Sequence, residues 1–116
     1  MSPSSLLDKH CIPCESGTPP LTREQARELQ TRLHSDWILN DSFTEISRTC
    51  KHRNYYQTIA FVNALAWVAH REDHHPDLEV GYNRCRIRYS THSIGGLSEN
   101  DFICAAKIDA LLNEGS

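Results

Sequence analysis

Two adjacent histidines stand directly before a proline in "REDHHPDLEV", residues 71–80, and a third lies in "YSTHSIGG", residues 89–96. Imidazole is the side chain best suited to give and take protons near neutral pH, so His74, His75 and His92 are the first candidates for acid/base chemistry. Pro76 disfavours a helical conformation at His75, which puts His74 and His75 at the carboxyl end of the preceding helix. Unsatisfied carbonyls at such an end favour imidazolium by about 0.3–1 kcal/mol when exposed, which suits a proton donor. Asp73 beside the pair and Asp101 further on are the carboxylates placed to orient an imidazole or hold a substrate amine.

Each residue also has a plain structural role available. His-His-Pro serves as a solvated turn, His92 as a loop residue, and Asp73 as a solvated end to the last helical turn. Asp101 follows Ser98 at capping-box spacing in "SEND". Metal readings are weaker. His70 and His74 have the i, i+4 spacing of a zinc helix, but Arg71 stands where the motif needs glutamate. "HCIPC" supplies His10, Cys11 and Cys14 without a second close pair, although Cys50 and His52 could complete a set of ligands.

The chain has 116 residues, 39% of them apolar, enough for one compact core. A formal charge of -3 and scattered arginines give no basic field for nucleic acid. No segment reads as a secretory signal or a membrane span, so a cytoplasmic protein is expected. Five cysteines, an odd number, are expected to be reduced thiols.

Residues 1–20, rich in Ser and Pro, read as a flexible leader, and residues 21–116 as a single domain. "LTREQARELQTRLH" opens with Thr22 and Gln25 at capping-box spacing and carries Leu21, Ala26, Leu29 and Leu33 at helical intervals. "DWILN" and "FTEISRTCKH" are short strands about a turn at Asp41-Ser42, the second with alternation diluted by Ser47 and Thr49. Asn54 caps a long helix over "YYQTIAFVNALAWVAHRED". Its apolar residues reach nearly all round it, and a homodimer or homotetramer through residues 55–69 would cover them.

"LEVGY" pairs as a hairpin with "RCRIRYST", which alternates strictly, Cys85, Ile87 and Tyr89 on one face and Arg84, Arg86 and Arg88 on the other. A last helix runs from Ser98 to about Asn113. The order α-β-β-α-β-β-α predicts an α+β domain with a four-stranded antiparallel sheet and helices packed on one face.

The string "EDHHPDLEVGYNRCRIRYSTHSIGGLSENDF" resembles the pterin-4a-carbinolamine dehydratase family. The likeness rests on the His-His-Pro triplet, Tyr82-Asn83, Ser90-Thr91-His92, Gly96-Leu97-Ser98 and Asp101, and extends over about residues 21–112. It implies dehydration of 4a-hydroxytetrahydropterins to quinonoid dihydropterins, without metal or organic cofactor, by a dimer or tetramer of this fold, in support of tetrahydrobiopterin recycling. His74, His75 and His92 then occupy the positions of the family's active-site histidines, and Asp101 that of its acidic partner. Pro76 and the stretch through Thr91, Ser93 and Ile94 match parts that line the pterin pocket. Two positions depart from the form associated with animal members: His70 stands where glutamate is common, and Leu78 replaces a tryptophan. The resemblance also admits another class of function, since some relatives serve as dimerisation partners of a transcription factor.

Overall fold

The structure, a computed structural model, describes residues 6–13 and 17–114, with the side chains of residues 113 and 114 outside the description. Thr22 starts α1 (Arg23–Gln30) with the expected capping box, its hydroxyl accepting the Gln25 N–H at 3.1 Å and the Gln25 side chain accepting the Thr22 N–H at 2.9 Å. Then come β1 (Ile38–Leu39), β2 (Ile46–Lys51), α2 (Tyr55–Glu72), β3 (Asp77–Val80), β4 (Arg84–Tyr89) and α3 (Glu99–Glu114). Asn54 caps α2 as anticipated, accepting the Gln57 N–H at 2.8 Å. β1 is far shorter than "DWILN", because Trp37 turns into the core and Asn40 is occupied in bonding the Thr44 and Glu45 amides of the turn.

All strand pairs are antiparallel in the order β1-β2-β4-β3, with "LEVGY" contributing β3 to the hairpin with β4. Register explains the alternation. Ile46, Cys50, Cys85, Ile87 and Tyr89 lie buried on the helix side, while Ser47, Thr49 and Lys51 face outward opposite Arg88, Arg86 and Arg84. Ser47 and Thr49 therefore keep the two-residue period; the polar residue that interrupts the inward series of β2 is Arg48, opposite Ile87. Its guanidinium donates through Nη1 to Asp109 of α3, which also accepts the Trp37 indole N–H at 2.8 Å and the His34 backbone N–H at 3.0 Å.

The helix buried nearly all round is α3. Residues 100–105 and Ile108 are all buried, between the sheet on one side and α1, α2 and the leader on the others. α2, by contrast, buries Phe61, Leu65, Val68 and Ala69 and presents Tyr56 and Trp67 to solvent, 84% and 60% exposed.

The flexible leader requires correction over residues 6–13. Leu6 is 3% exposed in a short turn of helix against α3. The Cys11 N–H donates to Glu72 at 2.8 Å, and Ile12 exchanges two hydrogen bonds with the Asn100 side chain. Apolar Leu6 and the buried carboxylate of Glu72, which otherwise has Lys107 at 3.9 Å, give this stretch a reason to pack that Ser/Pro composition conceals. Cys14 lies outside the described residues.

Removing the Asp109 carboxylate as Asp109→Ala strands a nearly buried guanidinium and an indole N–H. Urea denaturation should show a loss of about 3 kcal/mol, with Asp109→Asn losing less.

Candidate active site

His74 is positioned by the way α2 stops. Asp73 takes the left-handed conformation (φ 52°), its N–H reaches the His70 carbonyl, and the His74 N–H returns to the Ala69 carbonyl at 3.2 Å. This is a Schellman closure, which Asp tolerates because its short polar side chain carries little penalty in that region. The helix thus ends at Glu72 through Asp73, two residues before the stop that Pro76 predicts, and His74 and His75 lie beyond its last turn.

The turned-back chain carries the His74 ring inward. It stacks on Tyr89 of β4, centroids 5.6 Å apart and planes 7° from parallel, and its Nε2 meets Asp101 Oδ1 at 2.6 Å. The side chain of His74 is 13% exposed and that of Asp101 0%. Asp101 Oδ2 accepts the Thr91 hydroxyl at 2.9 Å and the Ser98 N–H at 3.0 Å, and the Thr91 and Ser98 hydroxyls are 2.7 Å apart. The capping and functional readings of Asp101 therefore both hold: one oxygen closes the start of α3 and the other holds the imidazole.

Burial by itself pushes the His74 pKa down, but the hydrogen bond and charge of Asp101 outweigh it and leave the pKa above the usual histidine value. The pull toward imidazolium comes from this carboxylate, where the sequence suggested the helix end. The protonated pair is a buried, oriented acid, and Nδ1 is the ring edge that Asp101 leaves for another partner.

Thr91 joins the third histidine to this network. Its N–H donates to the Gly96 carbonyl at 2.8 Å and the Gly96 N–H returns to the Thr91 carbonyl at 3.4 Å, closing a small loop that displays His92 and Ser93 at the surface. Gly96 has no room for a side chain, since a Cβ there would lie 2.7 Å from Pro20. His74, Thr91 and Asp101 are thus hydrogen-bonded in one group. His75 and His92 are exposed on the segments adjoining it, Pro76 and Ile94 are half-buried, and Asp73 is exposed at the helix end. Of the departing positions, His70 is exposed on α2 and Leu78 packs half-buried against the core from β3.

Two contributors have no local signal for their roles. Ser98 stands in the sequence as a cap and a motif position, and its hydroxyl partnership with Thr91 shows only in the fold. Tyr89 was visible as an inward residue of an alternating strand, but nothing local placed it under an imidazole.

Residues 19–111 match the family model for pterin 4 alpha carbinolamine dehydratase. A protein of Nitrosomonas eutropha named as a pterin-4-alpha-carbinolamine dehydratase is 63% identical over 107 residues, covering 92% of this chain and 93% of its own. Among solved structures, a transcriptional coactivator/pterin dehydratase from Brucella melitensis aligns with a TM-score of 0.75 at 30% identity, over 79% of this chain and 97% of that one. A pterin dehydratase-like protein described as a RuBisCO assembly factor in the alpha-carboxysome aligns with a TM-score of 0.59 at 26% identity, over 67% and 90% of the two chains. With the family model matched over most of its length and a relative this similar, the chain belongs to the pterin 4 alpha carbinolamine dehydratase family.

Proposed function

We propose that this protein dehydrates 4a-hydroxytetrahydropterins to quinonoid dihydropterins, with His74 and His92 as the acid/base groups and His75 positioning the pterin. The observation that carries the reading is the buried His74–Asp101 pair, an imidazole whose proton is held against desolvation beside an exposed histidine-bearing loop. Loss of water from the carbinolamine breaks the C4a–OH bond. One group protonates the departing hydroxyl and another accepts a ring N–H proton, so the enzyme keeps its total proton count and is reset when a proton passes from the base back to the acid through solvent. Asp73, Pro76, Thr91, Ser93, Ile94 and Asp101 belong to this reading as the residues around the pterin, with Thr91 and Asp101 acting through His74. The physiological setting we propose is tetrahydrobiopterin recycling in the cytoplasm; no helix among the described residues is long and apolar enough to cross a membrane.

Association follows from the outer face of α2. Tyr56 and Trp67 are large exposed aromatic residues on one helix, the kind of surface that a second copy covers. We infer a homodimer or homotetramer through residues 55–69. The same face favours a second reading, a protein-binding module, in keeping with the coactivator and assembly-factor descriptions of the two structural relatives. A stable heteromeric partner recovered by pull-down, with no turnover of carbinolamine, would reverse the ranking.

Three measurements test these readings. His74→Ala and His92→Ala should each slow dehydration of freshly prepared carbinolamine by about 10²-fold or more, measured after chelator treatment; undiminished rates in both would sink the acid/base assignment. In an NMR titration the His74 imidazole of the native protein should have its midpoint above the usual value of about 6.5, whereas in Asp101→Asn, with burial opposed only by the smaller effects of Cys104 and Asp73, it should fall below. The sign follows for stability: a pKa raised by folding contributes fully below the unfolded value of about 6.5 and is lost as pH rises through the folded value. Finally, light scattering on Tyr56→Glu/Trp67→Glu should give the 13.2 kDa monomer, where the native protein gives twice or four times that mass.

A further inference from the structure

A pair of sulfur atoms lies beneath His74 and is not used by the reaction. Cys11 Sγ is 3.5 Å from Cys104 Sγ, and Cys104 Sγ is 4.0 Å from the His74 carbonyl oxygen. Cys104 is fully buried on α3, while Cys11, on the leader, is half-buried. The leader is held on both sides of this sulfur. The Cys11 N–H and the His10 ring both bond the Glu72 carboxylate, at 2.8 and 3.0 Å, and Ile12 bonds the Asn100 side chain through its N–H at 3.0 Å and its carbonyl at 2.6 Å. Two thiols 93 positions apart are thereby held in contact by His10, Ile12, Glu72 and Asn100, which belong to neither the sheet nor the histidine network.

We propose that Cys11 and Cys104 form a peroxide-responsive dithiol that closes to a disulfide and staples the leader to α3. Hydrogen peroxide is the oxidant. The sulfur of Cys11, the half-buried residue of the pair, attacks one peroxide oxygen as the thiolate: an S–O bond forms, the O–O bond breaks, and the departing hydroxide takes a proton to become water. The Cys104 thiolate then attacks the sulfenic sulfur; the S–S bond forms, the S–O bond breaks, and a second water leaves. Two thiols and one peroxide give one disulfide and two waters.

Charge resting on Cys104 suits the second step, while the first needs the Cys11 proton to cross to Cys104. The hydrogen bond from Cys11 holds the Cys104 thiol below its ordinary range against the opposing effect of burial, helped by His74 and Tyr89, while Cys11 retains the proton and is pushed up. Proton transfer along the sulfur–sulfur contact lets either atom carry the charge. A disulfide needs about 2.05 Å between sulfurs, so they must close by about 1.5 Å, a movement that falls on the surface-lying leader and spares the packed helix. The other described cysteines contrast with this pair. Cys50 and Cys85 face each other across β2 and β4 under the helices, and burial pushes both thiols up, Cys50 to about 11.

Peptide mapping of the full chain tests the proposal. The reduced protein is treated with hydrogen peroxide, quenched, alkylated with N-ethylmaleimide and digested without reductant. The expected product has an intact mass, read before alkylation, lower by about 2 Da, a cross-linked peptide pair joining Cys11 to Cys104, a raised Tm, and full reversal by dithiothreitol. Cys14→Ser should keep the cross-link; Cys11→Ser, with its fold verified by circular dichroism, should lose both the cross-link and the mass change. A Cys11–Cys14 bond in the native chain, or complete alkylation of Cys11 and Cys104 after peroxide in the Cys14→Ser protein, would overturn it.

Discussion

A carboxylate removed completely from water must find donors, and at Asp101 it finds them from three parts of the chain. A buried anion left without partners costs several kcal/mol, so the fold is constrained to deliver the Thr91 hydroxyl, the Ser98 N–H and the His74 ring to the same two oxygens. That requirement ties the end of α2 to the end of β4 and to the start of α3. The site inherits its geometry from it: His74 is oriented, and its pKa raised, because the buried charge lies against it, and the His92 loop is anchored one residue away for the same reason.

The second constraint is the burial of α3. A helix with buried residues on nearly every side needs cover beyond one sheet and two neighbouring helices, and the leader supplies it with Leu6 and with the bonds that Ile12 makes to Asn100. Glu72, at the last turn of α2, is held below the usual carboxylate range; burial opposes this, and the Cys11 N–H, His10 and Lys107 outweigh it. At the opposite end of α3, Asp109 does the corresponding work for Arg48 and Trp37. Three carboxylates spaced along two helices thus organise the polar interior, each bound to a partner remote in sequence.

Local signals read well wherever the cause was itself local. Thr22 with Gln25 and Asn54 with the Gln57 amide are caps complete within four residues, and strict alternation from Arg84 to Tyr89 fixed one strand and its faces. Readings failed where a distant partner altered the meaning of a residue. Arg48 points inward because Asp109 waits there, and the leader packs because Glu72 and Asn100 do. The apolar character of α2 suggested burial on every side, yet that burial belongs to α3, and Tyr56 and Trp67 remain outside.

Residue types and their spacing determined the antiparallel α+β plan and the two capped helices, since these depend on periodicities and capping chemistry that act within a few positions. Only the tertiary structure decided that Asp101 serves a cap and an imidazole at once, that Tyr89 lies beneath the ring, and that Cys11 touches Cys104. Those are contacts between segments far apart along the chain, and they exist only after the core has closed and water has left the groups that must then satisfy one another.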